Sequence, residues 1–178
     1  YDGSVGSQVF GSRGLYTRAN MPLNNRDSVV IGLRRQNYHQ NSSSYYYYGG
    51  NTAGWQYCDA STYSFTGSGI STAHELQYIK NIAEQTKIYL RSSRNFRFAN
   101  LDDNGSSASG NLNPQTSRDS EIGFVFDANS TKSSVNYYFS RFTNEIGFNG
   151  SFNVNLDPTE RHGIEIMSRY SLGSRINL

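Results

Sequence analysis

Apolar and polar residues alternate with a period of two along most of the chain. Five segments carry a row of apolar residues: Val29/Ile31/Leu33, Ile88/Leu90, Ile122/Phe124/Phe126, Val135/Tyr137/Phe139 and Ile164/Ile166/Tyr170/Leu172. Successive side chains of a β-strand point to opposite faces of the sheet, so each segment predicts a strand with one apolar face. Strands are expected at residues 10–22, 28–40, 70–79, 86–97, 117–128, 133–146, 161–172 and 175–178.

One stretch also fits a helix. Between Ala73 and Gln85 the apolar residues Leu76, Ile79 and Ile82 have helical spacing. The alternative is two strands that meet at the polar turn Lys80-Asn81. The pattern alone leaves both interpretations open.

Short and long connections between the strands alternate. Short turns are expected near 23–27, 81–85, 129–132 and 173–174, and long loops at 41–69, 98–115 and 147–160. In an antiparallel sheet every second connection lies at the same end, so all long loops leave one end. Outer-membrane barrels have this asymmetry, with short periplasmic turns and long outer loops, whereas soluble sandwiches have no general reason for it. We therefore predict an all-β, antiparallel, up-and-down transmembrane barrel.

The distribution of charge agrees with a membrane sheet. A Lys or Arg on the lipid side costs about 2–4 kcal/mol at the bilayer midplane, and the five apolar rows contain no charged residue. The opposite rows carry the residues that we predict to face an aqueous lumen: Arg34, Arg91, Glu121, Glu165 and Arg169. A soluble β-sandwich, such as a carbohydrate-binding module, gives the same alternation with inside and outside exchanged. Loop asymmetry favours the barrel.

Composition excludes several other classes. With 14 Tyr, 10 Phe and only 3 Pro, the chain is unlike a disordered one, and its net charge of +2 gives no general attraction to nucleic acid. The three histidines, His39, His74 and His162, lack the spacing of metal ligands, and Cys58 is the sole cysteine. No nucleophile, acid–base pair or phosphate loop is recognisable. We predict no catalytic residue, no metal site, no cofactor and no enzymatic activity.

The segment 41–69 is unusually aromatic. Tyr and Trp give rigid contact area with a hydrogen-bonding tip, which suits a recognition surface. We predict that an outer loop here contacts a ligand through Tyr45, Tyr46, Tyr47, Tyr48, Trp55 and Tyr57. The alternative is that these rings pack on the loop itself or on neighbouring loops.

Four segments, in order, resemble motifs of the TonB-dependent outer-membrane receptors: Ser93–Asp103, Leu112–Gly123, Tyr137–Ile146 and Asn155–Glu165. Their matching features include Phe96-Arg97, Pro114 with Ser117, Asn144 with Ile146, and Arg161 followed by Gly163 and Glu165. Ala99 and Gln115 stand where the family usually has Pro and often has Glu.

The resemblance implies a barrel of about 22 strands closed around an N-terminal plug domain. This sequence supplies about eight strands and no plug, and it lacks the terminal aromatic residue of bacterial barrels, so we expect a fragment of the barrel domain. The implied function is active transport of a ferric siderophore or similar scarce nutrient across the bacterial outer membrane. Outer-membrane lipid, the nutrient ligand, and the plug and TonB, through parts absent here, are the implied partners. A small structural or adhesive outer-membrane barrel remains a further alternative.

Overall fold

The structure of the chain is a computed structural model. It describes residues 3–52, 55–107, 111–172 and 176–177, with side chains for 6–43, 64–107 and 111–170. Within this part of the chain, no helix is long and apolar enough to span a membrane.

The molecule is built almost entirely from antiparallel strands. In chain order the elements are β1 (Gly3–Pro22), β2 (Asp27–Thr52), β3 (Trp55–Ala83), β4 (Thr86–Arg97), α1 (Leu101–Gly105), β5 (Gln115–Ala128), β6 (Thr131–Thr143), β7 (Ile146–Phe148), β8 (Asn153–Asn155), β9 (Thr159–Leu172) and β10 (Ile176–Asn177). The main sheet has the order β1-β2-β3-β4-β5-β6-β9-β10, and β7 and β8 form a separate hairpin. The predicted up-and-down antiparallel architecture is confirmed. Among the described residues the sheet is open, because β1 and β10 are not paired with each other.

Short turns lie at one end of the sheet. Residues 23–26, 84–85 and 129–130 make these connections. In the first, the Asn24 side-chain oxygen accepts from the backbone N–H groups of Arg26 and Asp27 at 2.8 and 2.9 Å, an Asx-turn that reverses the chain. Two connections at the opposite end are long: 98–114 contains α1, and 144–158 contains β7 and β8. The expected Gly173-Ser174 turn lies outside the described residues.

The prediction that residues 41–69 form a loop is wrong. β2 continues to Thr52 and β3 begins at Trp55, and the two pair residue by residue, for example Tyr45 with Thr62. The Ser, Asn and Gly residues suggested a loop, but the interspersed Tyr and Thr residues favour extended backbone, and the β2–β3 ladder continues through the segment. The helical alternative for Ala73–Gln85 is also wrong, because β3 runs through to Ala83.

The two faces of the main sheet differ as the alternation predicts. On the apolar face, Ile122, Phe124 and Ile164 are 52%, 44% and 68% exposed, and no second sheet covers them within the described residues. A soluble sandwich would bury this face. The sandwich alternative is therefore wrong. The buried residues of the strands, such as Ala73 and Ser93, alternate with these and belong to the opposite, polar face.

The long connections are held down by asparagines. The side chain of Asn155 accepts from the Asn113 N–H at 2.8 Å and donates to the carbonyls of Asn113 and Asn144, both at 3.0 Å. Asn100 caps α1 in a reciprocal box with Asp103. Amide side chains thus replace the backbone pairing that these irregular segments lack, and they fix both connections over one end of the sheet.

Candidate functional site

A line of alternating charges crosses the polar face. Arg18, Glu75, Arg91 and Glu121 follow one another across the sheet, with nitrogen–oxygen distances of 3.5, 3.6 and 3.4 Å. Arg91 lies directly opposite Glu121 in the β4–β5 ladder. Each pair is partly solvated, so a single pair contributes about 1 kcal/mol or less. The main consequence of these ion pairs is therefore that they hold the charged groups in position, and their contribution to the stability of the sheet is small.

Gly32 explains how the line bridges a strand. In the β1–β2 and β2–β3 ladders, Gly32 is opposite both Arg18 and Glu75. Since Gly32 has no side chain, Arg18 and Glu75 meet above β2. A larger residue at this position would separate them, and a Cβ at Gly32 would already touch the Glu75 side chain at 3.4 Å.

A polar cavity of about 430 Å³ lies beside this line. Its walls include Arg91, Asp119, Glu121, Asn136 and Glu165. Glu165 accepts a hydrogen bond from the Asn136 amide at 3.2 Å. The Nε of Arg91 is buried and has no hydrogen-bond partner among the described residues. The cavity therefore gathers carboxylate and amide groups from several strands beside Arg91, which suits a polar or hydrated group.

An aromatic cluster lies where β4 leads into the long connection. Phe98 packs between Tyr38 and Phe96, with ring centroids 4.2 and 5.0 Å away. The Arg34 guanidinium lies over the Phe96 ring at 4.6 Å, a cation–π contact. This cluster was not predicted from the sequence, although the Phe-Arg-Phe triplet at 96–98 was the available signal. Tyr38 is buried, so the cluster anchors the connection to the sheet.

The five residues predicted to face a lumen share the polar face. Arg91 and Glu121 contact each other, Glu165 contacts Asn136, and Arg34 contacts Gln36 and Phe96. Arg169 lies opposite Lys132 near the short-turn end. The structure thus joins only two of the five directly. The side chains of Tyr45, Tyr46, Tyr47, Tyr48, Trp55 and Tyr57 lie outside the described residues, so their ligand contact stays a prediction.

Glu145 makes a second charged contact, at the base of the β6–β9 connection. It accepts from the Thr159 hydroxyl at 2.7 Å and pairs with Arg161, whose guanidinium also covers the Phe142 ring at 4.7 Å. The Thr159 hydrogen bond, followed by the interactions with Arg161, lowers the pKa of Glu145 below its usual value. The carboxylate form is therefore the one that the fold stabilises.

This shift predicts that acid loosens the connection. A carboxylate with a lowered folded-state pKa contributes stability that is present above its unfolded pKa, about 4.3, and is lost as pH falls through the folded value. Hydrogen exchange in residues 144–161, corrected for the intrinsic effect of pH, should therefore rise as pH drops from 6 to 3. In a Glu145→Gln variant this extra rise should be absent. An identical rise in both proteins would contradict the prediction.

Comparisons with known proteins agree with this geometry. The family profile "TonB dependent receptor-like, beta-barrel" matches residues 1–178. No curated protein matches the sequence. Solved structures do: the ferric yersiniabactin uptake receptor FyuA from Yersinia pestis has a TM-score of 0.77 at 10% identity, covering 98% of this chain and 26% of that one. The ferric-catecholate import receptor Fiu from E. coli K12 has a TM-score of 0.74 at 15% identity, covering 95% and 26%.

A third structure is similar over a comparable length. The siderophore receptor PirA from Pseudomonas aeruginosa has a TM-score of 0.54 at 15% identity, covering 96% of this chain and 39% of that one. At such identities the likeness shows the fold, and the chain spans about a quarter of the length of FyuA and Fiu. The family profile covers the whole sequence, and its members are transport receptors rather than enzymes. The chain belongs to the TonB-dependent receptor-like β-barrel family.

Proposed function

We propose that this chain is part of an outer-membrane receptor that imports a ferric siderophore or a similar scarce nutrient, with energy supplied by the TonB system. The family match over residues 1–178 supports transport. The names of FyuA, Fiu and PirA, a ferric yersiniabactin receptor, a ferric-catecholate receptor and a siderophore receptor, support a ferric chelate as the substrate.

One structural observation carries the proposal: the apolar face is exposed while the charged face is partly covered. Ile122 and Ile164 are more than half exposed, although burying such side chains is the main driving force of folding in water. Lipid is the solvent in which this face is favourable. In a closed barrel the opposite face, with Arg91, Glu121 and Glu165, then surrounds an aqueous interior or a plug.

The remaining parts of the receptor complete the mechanism. We infer that these eight strands join further strands in a barrel of about 22, as in outer-membrane transporters with a plugged lumen. The polar side chains that line the cavity beside Arg91 would then form hydrogen bonds with the plug or with water. The aromatic segment at the far end of β2 and β3, with Tyr45–Tyr48, Trp55 and Tyr57, would contact the ligand outside the membrane.

Uptake experiments test the proposal. The intact receptor, expressed in a bacterium that lacks its own siderophore receptors, should restore growth on at least one of three radioactive ferric probes: a catecholate, a hydroxamate or citrate. Accumulation of the probe should stop in a TonB-deficient strain, while binding at the cell surface persists. TonB-independent accumulation, or no binding of any probe by correctly folded receptor, would contradict the proposed function.

A further inference from the structure

Three arginines from three strands form a row on the apolar side of the sheet. The ladders pair Arg94 with Arg118 and Arg118 with Arg141. They alternate in phase with Ile122, Phe124 and Phe139, so they lie on the same face as the exposed apolar residues, next to the long-connection end. All three are exposed. We call Arg94, Arg118 and Arg141 the arginine row.

The arginine row is poorly neutralised by the protein. Like charges directly opposite each other on a sheet are destabilising. The nearest acid in the ladder is Glu160, which lies opposite Arg141 with its Oε1 3.8 Å from the arginine Nε. Within the described part of the chain, Arg94 and Arg118 have no carboxylate in ion-pair range. Three guanidinium groups therefore share one carboxylate, and an external anion would relieve their repulsion.

An apolar groove adjoins the row on the same face. It has a volume of about 470 Å³ and walls formed by Leu76, Leu90, Ile122, Tyr137 and Phe139. Ser92 and Ser120, which are opposite each other in the β4–β5 ladder, form its floor. These two small residues separate Leu90 and Ile122 from Arg94 and Arg118. The groove therefore ends beside the arginine row: Ser92 and Ser120, which line it, are two residues away from Arg94 and Arg118 along their strands.

The arginine row and the neighbouring apolar groove together fit a ligand that has an anionic group attached to a hydrocarbon chain. Planar guanidinium groups bind phosphate oxygens through paired hydrogen bonds, and a hydrocarbon chain fills an apolar groove. An arginine at the edge of the apolar band meets the headgroup layer, where its cost to the barrel is small. We propose that the arginine row binds the phosphate of an anionic membrane lipid, with an acyl chain of that lipid in the groove. This site rests on the outer-membrane placement given under the proposed function.

Native mass spectrometry tests this site. It measures lipid binding to the intact receptor after the receptor has been delipidated in neutral detergent. Phosphatidic acid and diacylglycerol with identical acyl chains differ only in the phosphate, and phosphatidic acid should bind about tenfold more tightly or better. The variant R94Q/R118Q/R141Q should lose this preference. Arg26→Gln, at the short-turn end, is the matched control and should keep it. Glu160→Gln should strengthen phosphatidic acid binding, because it removes the competing carboxylate.

A groove-filling variant separates a lipid from a free anion. S92L/S120L should weaken phosphatidic acid and diacylglycerol together, while inorganic phosphate binding stays unchanged. Equal binding of the two lipids to the wild-type receptor, or full phosphatidic acid preference in the triple variant, would overturn the proposal. The proposal would also be overturned if inorganic phosphate displaced the lipid and S92L/S120L did not weaken lipid binding. Uptake of the ferric probes is measured on the same proteins. If the wild-type receptor prefers phosphatidic acid but takes up no ferric probe, the result counts against the proposed function and leaves the lipid site standing.

Discussion

Replacing Phe124 by Lys should prevent the intact receptor from accumulating in folded form in the outer membrane. Phe124 is on the apolar face, opposite Ile88 on one side and Val135 on the other. A Lys at the bilayer midplane costs about 2–4 kcal/mol, and the substitution also removes an aromatic ring from the apolar face. Folded outer-membrane barrels migrate faster than unfolded ones on gels when they are not heated. The expected result is a large loss of the fast-migrating form in outer-membrane fractions.

The matched control lies at the same level on the opposite face. Asn136 contacts Glu165, so Asn136→Lys would place the new charge beside a carboxylate. This variant should accumulate normally. If Asn136→Lys were lost and Phe124→Lys were tolerated, the assignment of the two faces would be reversed, and with it the membrane topology of the sheet.

The alternation of apolar and polar residues that predicts these two faces also predicts most of the strands of the fold. A sheet with one apolar and one polar face requires opposite residue types at successive positions, so strands such as β4, β5 and β6 carry their own signal. The signal weakens beyond the apolar band, where neither face has to be apolar. There Ser43 and Ser64 pair in the β2–β3 hairpin, and the sequence suggested a loop.

The sequence predicts which face of the sheet the charged residues of the candidate site share, but it does not predict which of them contact each other. A period of two assigns Arg91, Glu121 and Arg94 to faces, yet it does not say which residue of the next strand stands opposite. That register depends on the length and geometry of each connection. It places Glu121 beside Arg91, and it also places Arg94, Arg118 and Arg141 side by side. The role of Gly32 is likewise a consequence of register, because its missing side chain matters only between Arg18 and Glu75.

A valine at Gly123 should strongly destabilise the receptor, because the Tyr89 ring occupies the space that glycine leaves. The two residues are opposite each other, and a Cβ at Gly123 would overlap ring carbons of Tyr89. The Tyr89 hydroxyl donates to Glu121, which also pairs with Arg91. Displacing the ring therefore costs both packing and a hydrogen bond to a charged group, together about 3 kcal/mol. Urea unfolding of the intact receptor in lipid vesicles measures the change.

Two comparisons show whether the ring contact is the cause. Among the described residues, no atom lies within 4 Å of a Cβ built at Gly11, so Gly11→Val should change the free energy of unfolding by much less. Tyr89→Ala removes the obstacle, so the double variant G123V/Y89A should be clearly less destabilised than the sum of the two single changes. Additive effects would mean that Gly123 and Tyr89 act independently. In that case the glycine is needed for its backbone, and the packing of Tyr89 does not hold the Arg91–Glu121 pair in place.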